Sequence, residues 1–238
     1  NDVNMIATIN PNTNKVLLTS IPRDYYVQLH GKTGYKDKLT HAGIYGINTV
    51  VQTIEDLFGI DINYYVRVNF TTVESLVNTI GPIEIYSDKA MSLDGCKYVV
   101  GTNTVNGKCA LRFARERHSY VEGDNHRIKN QQEVIKGIFN KLSKSAMVVT
   151  DYTSILDSLD GKFATNMDMK DITAFIKYEL EDITKYEILD TQVTGTGSME
   201  LTYSYPHQKL YVMFPSEQSV ESAKEYINKI SINYNIVI

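Results

Sequence analysis

Strand-like runs and amphipathic helical segments alternate along almost the whole chain, and this alternation restricts the fold more than any other feature of the sequence. The runs VNMIATIN and KVLLTSI, on either side of a PNTN turn, predict a β-hairpin. Interleaving of strands and helices is typical of layered α/β proteins. We therefore predict a single α/β/α domain over residues 1–238, with a mixed central β-sheet flanked by helices.

Apolar periodicity and capping residues place the individual elements. The spacing of a capping box over 71–74 predicts the start of a helix, which the Gly-Pro pair at 81–82 ends. A cationic helical pattern covers 110–120. The other predicted helices span about 42–58, 125–144, 151–159, 169–181 and 216–230. The other predicted strands span about 64–68, 82–86, 185–193, 199–204 and 209–214.

The composition is that of an ordinary globular protein, with 42% hydrophobic and 22% charged residues. A formal net charge of −4 argues against nucleic acid as a partner, because phosphate neutralisation needs a broadly basic surface. Any anion site must therefore be local. No run approaches the ~18 consecutive apolar residues of a membrane span. The sequence starts at Asn1 directly before a strand, so we expect an ectodomain whose anchor has been removed.

Arginine is concentrated in one part of the chain. Of six arginines, four fall within sixteen residues, namely Arg112, Arg115, Arg117 and Arg127. The guanidinium group presents a planar fork of donors that matches phosphate oxygens. Arg115 and Arg117 cannot share one stripe of a regular helix, so we expect the helix to end there, whereas Arg127 and Gln131 share a face of the next helix. These residues predict a basic pocket, and the alternative is a solvated helix face.

Several other polar residues allow more than one interpretation. Arg23 and Asp24 follow the end of a strand, where α/β sheets present functional groups, but a surface salt bridge explains the pair equally well. The sequence shows no partner for the carboxylate of Asp2, so by itself Asp2 is interpreted as a surface residue. His118 and His126 flank the basic loop and are left without a role. No GxSxG, Walker-type, GxGxxG or HExxH motif occurs, so we expect anion chemistry without a protein nucleophile.

The two cysteines, Cys96 and Cys109, lie thirteen positions apart across a polar stretch. A disulfide and two unrelated thiols are equally compatible with this spacing. No CxxC pattern or second pair supports a zinc site.

Four ordered stretches resemble the LytR-CpsA-Psr family, namely TINPNTNKVLLTSIPRD, KLTHAGIYGINTVVQTIEDLFGIDINYYVRVNF, VNGKCALRFARERH and GDNHRIKNQQEVI. The C-terminal part is similar to that family too, with Thr165-Asn166, TGTG from Thr194 and FPSEQSV from Phe214. The resemblance therefore covers nearly the whole chain.

Members of that family are membrane-anchored, extracytoplasmic enzymes, mainly of Gram-positive bacteria. The resemblance implies transfer of a glycopolymer, such as wall teichoic acid or capsule, from an undecaprenyl-pyrophosphate carrier onto peptidoglycan, with Mg²⁺ assisting. It also implies that the anchor and the family's first strand lie before residue 1. An extracytoplasmic location further implies that Cys96 and Cys109 form a disulfide.

The functional positions of the family map onto this sequence one by one. Its phosphate-binding positions match Arg23, Lys38, Arg115, Arg117, Arg127 and Gln131. Asp2 matches a metal-binding carboxylate, in NDVN where the family has an RSDT-like motif. Arg23 and Asp24 of the IPRD motif are expected to be catalytic, with Asp24 as a candidate base. Arg112 matches no family position and receives no role.

Two other functions fit the same residues. A polyprenyl-pyrophosphate phosphohydrolase would use the same pocket with water as the acceptor, and a non-catalytic module would hold anionic cell-wall polymer on the basic residues. A carrier lipid would also need an apolar groove. The apolar faces of the helices at 42–58 and 125–144 are candidates for it, with plain core packing as the alternative.

Overall fold

The computed structural model of the chain describes residues 3–120, 124–143, 163–168, 170–174, 186–231 and 235–238. In these ranges the strands are β1 Asn4–Asn10, β2 Lys15–Ile21, β3 Tyr26–Val27, β4 Asp37–Lys38, β5 Tyr64–Val68, β6 Ile83–Ser87, β7 Met91–Leu93, β8 Cys96–Tyr98, β9 Gly101–Val105, β10 Phe163–Thr165, β11 Glu187–Gln192, β12 Gly195–Glu200, β13 Leu210–Pro215 and β14 Asn235–Val237. The helices are α1 Ile47–Phe58, α2 Phe70–Ile80, α3 Gly107–Arg115, α4 Asp124–Ser143 and α5 Glu217–Ile230, and Leu39–Tyr45 forms a 3₁₀ helix. Residues 170–174 are also helical.

The chain divides into two compact units. The first unit comprises Asn1–Tyr65 and Ile188–Ile238, and the second comprises Val66–Glu187. The α/β class with a mixed sheet and flanking helices is confirmed. That the whole chain acts as one domain stays a prediction.

The first unit is built on a sheet in the order β5-β14-β1-β2-β11. β1 and β2 form the predicted hairpin, in antiparallel register from Asn4 opposite Ile21 to Asn10 opposite Lys15. On its other edge β1 pairs antiparallel with β14, which runs parallel to the first residues of β5. The C-terminal strand therefore lies between β1 and β5.

β1 is buried along its whole length. α5 packs on β1 and β2, and α1 packs on α5. The apolar side chains of α1, which are Val50, Ile54 and Phe58, belong to the core. This favours core packing over a lipid groove for that helix face.

Two buried polar side chains of β1 form hydrogen bonds to the C-terminal segment. Thr8 Oγ1 donates to Asn235 Oδ1 at 2.8 Å, and Asn10 Nδ2 donates to the carbonyl oxygen of Ile230 at 2.7 Å. Buried polar groups without such partners would destabilise the fold. These two bonds fasten the C-terminal segment to β1.

The second unit combines short antiparallel strand pairs with three helices. β6 pairs with β9, β7 pairs with β8, and the later residues of β5 pair with β10. α2, α3 and α4 pack on one another, and α4 also packs on β6. Val134, Ile138 and Leu142 of α4 lie in this core, which again favours core packing over a lipid groove.

Gly107 brings α3 close to α2. Its backbone N–H donates to Asn78 Oδ1 at 3.1 Å, and a Cβ at this position would lie 2.7 Å from that same oxygen. A side chain larger than hydrogen would therefore push the two helices apart.

Two predicted helix starts were wrong. α2 begins at Phe70, because Asn69 forms the capping box instead of the residues at 71–74: Asn69 Oδ1 accepts from Thr72 N at 2.8 Å, and Thr72 Oγ1 accepts from Asn69 N at 3.3 Å. The helix predicted at 42–58 is divided at Gly46, whose φ of 102° favours glycine, into the 3₁₀ helix and α1.

The strand predicted at 199–204 was also wrong, because β12 covers 195–200. Gly195 and Gly197 lie in this strand opposite β13, where a Cβ on Gly197 would be 2.9 Å from the ring of Tyr211. The cationic helix predicted at 110–120 is α3 and ends at Arg115, as the arginine spacing indicated.

The helix predicted at 151–159 lies outside the described residues, and so does all of 169–181 except 170–174. Among the described helices, none is long and apolar enough to cross a membrane.

Candidate functional site

The IPRD segment follows β2 in the first unit, and backbone hydrogen bonds tie it to the start of the 3₁₀ helix. The carbonyl oxygen of Arg23 accepts from Thr40 N at 2.9 Å, and that of Tyr25 accepts from Leu39 N at 2.8 Å. These bonds bring Lys38, which precedes the 3₁₀ helix, next to Asp24.

Asp24 is ion-paired on both carboxylate oxygens. Lys38 Nζ donates to Oδ1 at 2.9 Å, and Arg23 Nε lies 3.6 Å from Oδ2. All three side chains are largely buried. With two cations and one carboxylate the group carries one net positive charge, which suits an anion. The pairing favours Asp24 as the residue that positions Arg23 and Lys38, and its role as a base stays a prediction.

A second basic group lies at the end of α3 in the other unit. Arg115 is the last residue of α3, and its guanidinium lies over the ring of Phe70, 4.0 Å from the centroid. Arg117 follows the helix, with Nε 3.4 Å from His118 Nε2. Because α3 ends at Arg115, the side chains of Arg115 and Arg117 are not restricted to the spacing of a regular helix.

Glu116, between these arginines, anchors the turn to α4. Its carbonyl oxygen accepts from Asn130 Nδ2 at 3.4 Å, and its carboxylate accepts from Ser119 N at 2.7 Å. Burial alone would raise the pKa of Glu116, but hydrogen bonds from Ser119 and His118 outweigh burial and hold the pKa below its usual range. A charged Glu116 therefore stabilises the turn that carries Arg115 and Arg117.

Arg127 and Gln131 lie one helical turn apart on α4, the helix that also carries Asn130. Gln131 is buried, and within the described part of the chain its Nε2 has no hydrogen-bond partner. A buried amide donor without an acceptor is costly, so it points to an acceptor supplied by a ligand. We call Arg115, Arg117, Arg127 and Gln131 the arginine cluster.

Two other residues of this region take part in local structure. His126 stacks on Tyr120 with ring centroids 3.4 Å apart, and its Nε2 lies 3.4 Å from Asp88. Arg112, to which no role was assigned, pairs with Asp94 at 3.0 Å. These contacts give both residues a structural role.

Cys96 and Cys109 form the predicted disulfide, with their Cα atoms 5.5 Å apart. The bond joins β8 to the first turn of α3, which is the helix that carries Arg115. The disulfide thus fixes α3 at the end opposite to Arg115.

The sequence analysis missed a buried network around Asp37. Its carboxylate accepts from His41 Nδ1 at 2.6 Å and from the backbone N and Oγ of Ser204 at 2.9 and 2.5 Å. Asp37 and His41 are four residues apart, which is a usable local signal. Ser204 lies 167 positions away, and no local pattern could have indicated that contact.

Asp2, the predicted metal ligand, lies outside the described residues. Within the described ranges no group of three or more His, Cys, Asp or Glu residues is arranged to hold a metal ion.

The chain matches the model of the LytR_cpsA_psr family over residues 1–226. It is 32% identical over 206 residues to the Enterococcus faecalis polyisoprenyl-teichoic acid--peptidoglycan teichoic acid transferase TagU, with 86% of this chain and 66% of that protein covered. The chain thus spans just under two thirds of that relative. Among solved structures it resembles Lin1025 from Listeria innocua (TM-score 0.79, 29% identity, 97% of this chain and 92% of that chain) and Bacillus subtilis TagU (TM-score 0.73, 27% identity, 96% and 91%).

Proposed function

Because the chain belongs to the LytR_cpsA_psr family, we propose that it transfers a glycopolymer, such as wall teichoic acid or capsule polysaccharide, from an undecaprenyl-pyrophosphate carrier onto peptidoglycan. The Enterococcus faecalis relative is named for transfer of polyisoprenyl-linked teichoic acid to peptidoglycan. The family match over residues 1–226 is the observation that carries this proposal.

The arginine cluster supports the phosphate part of the proposal. Arg115, Arg117 and Arg127 would donate to phosphate oxygens, and the buried Nε2 of Gln131 would find its acceptor there. Transfer at a pyrophosphate depends mainly on positioning the reactants and stabilising charge on phosphoryl oxygens. Arginine side chains are suited to both tasks. Arg23 and Lys38 would bind phosphate oxygens in the same way, held by Asp24.

The proposed transfer proceeds in one step and needs no covalent enzyme intermediate. A hydroxyl oxygen of the glycan acceptor attacks the phosphorus next to the polymer and forms a new P–O bond. The P–O bond to the bridging oxygen of the pyrophosphate breaks, and the carrier leaves as its monophosphate. The proton of the hydroxyl passes to a base, for which Asp24 remains the candidate.

Magnesium is part of the proposal through Asp2. Mg²⁺ prefers oxygen ligands and is commonly held by one or two carboxylates together with substrate phosphates. Asp2 would supply one carboxylate oxygen, and the carrier would supply the others. When bound, the ion would neutralise negative charge on the phosphates.

We also propose an extracytoplasmic location, with a membrane anchor outside the sequence given. The disulfide between Cys96 and Cys109 supports the location, since disulfides persist in oxidising compartments. The same location would place the protein next to both peptidoglycan and the carrier lipid.

The deciding experiment incubates the protein with lipid-linked glycopolymer and peptidoglycan fragments. Mass spectrometry then looks for fragments that carry the polymer through a phosphodiester. Such fragments are expected. Release of free polymer phosphate with no linked fragments would identify a phosphohydrolase, and salt-sensitive polymer binding without any reaction would identify a binding module.

A further inference from the structure

Exposed aromatic side chains gather on the first unit, where the loop between β12 and β13 meets the 3₁₀ helix. Tyr203 and Tyr205 of this loop are 36% and 48% exposed. The ring of Tyr203 lies edge-on to that of Tyr45, with centroids 5.7 Å apart, and the ring of His41 lies 5.4 Å from that of Tyr205. We call Tyr45, Tyr203, Tyr205 and His41 the aromatic cluster. His41 and Tyr45 are half-buried, and together with the two exposed tyrosines they indicate a binding surface, which a single exposed ring does not.

Hydrogen bonds fix the loop backbone at Ser204 and two rings of this cluster, those of His41 and Tyr45. Ser204 lies between the two exposed tyrosines, and the fully buried Asp37 accepts from both its backbone N and its Oγ. The same carboxylate accepts from Nδ1 of His41, and the hydroxyl of Tyr45 lies 2.9 Å from Ser204 Oγ. The rings of His41 and Tyr45 and the backbone between Tyr203 and Tyr205 are therefore held in place before any ligand binds, which reduces the entropic cost of binding.

A cation lies against the same rings. Lys32 Nζ is 4.5 Å from the centroid of Tyr45 and 6.0 Å from that of Tyr203. The ring faces hold the ammonium group at the edge of the cluster, where it can bind a carboxylate of a ligand.

We propose that the aromatic cluster binds the glycan strand of peptidoglycan, the acceptor in the proposed reaction, and this inference rests on that proposed function. One face of a pyranose ring consists largely of C–H groups and packs on a tyrosine ring, while its hydroxyl groups bond to polar groups around it. Lys32 matches the carboxylates that peptidoglycan carries at intervals.

Two other occupants fit the cluster less well. A polymer with a phosphate in every repeat would favour an array of cations, and Lys32 is the cation that the structure places over these rings. Tyrosine is common at membrane surfaces, but contact with lipid headgroups does not require fixed rings, whereas the hydroxyl of Tyr45 and the loop at Ser204 are fixed by hydrogen bonds.

The test is isothermal titration calorimetry of the protein with soluble, polymer-free peptidoglycan oligosaccharides, without carrier lipid or Mg²⁺. We expect Tyr203→Ala and Tyr205→Ala each to weaken binding about tenfold, which is the usual effect of losing a buried aromatic contact. Tyr203→Phe should bind like the wild type, since it keeps the ring. The matched control is Tyr86→Ala, an exposed tyrosine of the second unit, which should bind unchanged.

Wild-type affinity in both tyrosine-to-alanine variants would overturn the inference, and so would absence of binding by the wild type. If both variants instead lost binding to vesicles of anionic lipid and kept glycan binding, the cluster would be a membrane contact and the inference wrong. Circular dichroism melting of each variant excludes unfolding as the cause. Glycan binding with no transfer contradicts only the proposed function, whereas transfer that does not depend on these tyrosines contradicts only this inference.

Discussion

At the scale of single residues, the arginine cluster makes the sharpest prediction. Replacing Arg115, Arg117 or Arg127 with alanine removes a charged hydrogen bond worth about 1.5–3 kcal/mol, so each change should weaken binding of a polyprenyl pyrophosphate by roughly tenfold or more. Lysine should restore little, because it lacks the planar fork of donors. Binding is measured by calorimetry with a short-chain polyprenyl pyrophosphate.

The control for these variants is Arg67→Ala. Arg67 is exposed on β5 and does not belong to the cluster, so this change should leave binding unaffected. If all three cluster variants bound the carrier like the wild type, the phosphate site would lie elsewhere.

Asp37 makes a prediction about acid stability. Burial alone would raise its pKa, but hydrogen bonds from His41 and Ser204 outweigh burial and lower the pKa below the usual value of a carboxyl group. The stabilisation is therefore present above about pH 3.9, the ordinary pKa of an aspartate, and is lost as the pH falls through the lower folded value. Thermal unfolding measured across this range should show the loss.

Asp37→Asn should flatten that acid profile, since the variant has no proton to gain at this position. At neutral pH it should cost about 1–3 kcal/mol, because the hydrogen bonds to a charged carboxylate are lost. An unchanged acid profile would mean that other carboxylates dominate the transition. A suitable control is Asp56→Asn, whose exposed carboxylate contacts only the exposed His30 among the described contacts.

Individual residues also show where sequence reasoning succeeds. The face shared by Arg127 and Gln131 and the end of α3 at Arg115 follow from helical spacing, which is a local property. The Asp37–Ser204 bonds join positions far apart in the chain, and only tertiary packing brings them together. The ion pair between Asp24 and Lys38 likewise needed the structure, because it depends on the turn that brings Lys38 alongside.

At the scale of elements, the disulfide should stabilise the tethered end of α3. Closing a loop of this size contributes about 3 kcal/mol in the chain-entropy model. Denaturant unfolding with and without reductant should show a loss of that order, and thiol titration of the unreduced, denatured protein should find none. Reductant should not affect a Cys96→Ala/Cys109→Ala double variant. Two reactive thiols in the untreated protein would contradict the prediction.

The close contact of α2 and α3 at Gly107 predicts a second loss of stability. Gly107→Ala places a methyl group against Asn78 and should cost about 1–3 kcal/mol by overpacking. The neighbouring exposed Lys108→Ala should change stability by less than about 0.5 kcal/mol. Equal unfolding free energies for the two variants would show that the helices can separate without cost.

Elements defined by a local periodic pattern were predictable, and those defined by their partners were not. The β1–β2 hairpin, β5 and α5 follow their patterns. β12 was misplaced because glycine signals a turn in isolation, although Gly195 and Gly197 here allow β13 to approach closely. The start of α2 was misplaced because asparagine and threonine both cap helices, and the choice between Asn69 and Thr71 depends on the backbone around them.

At the scale of the whole molecule, magnesium should bind together with the carrier. With Asp2 as a single carboxylate, the protein contributes few of the six oxygens that Mg²⁺ requires, so calorimetry should find weak binding without a polyprenyl pyrophosphate and tighter binding with one. Asp2→Ala should abolish the difference. Tight binding of Mg²⁺ by the protein alone, insensitive to Asp2→Ala, would place the metal elsewhere.

The position of β14 has a consequence for how the chain acquires its structure. The first unit is assembled from both ends of the sequence, and its C-terminal strand enters the sheet between β1 and β5. The sheet therefore cannot close until β14 has been synthesised, whereas the second unit is continuous in sequence. Pairing between strands so far apart in sequence slows folding, so the second unit can fold while the first still lacks a strand of its sheet. The arrival of β14 therefore sets the earliest moment at which the first unit can fold.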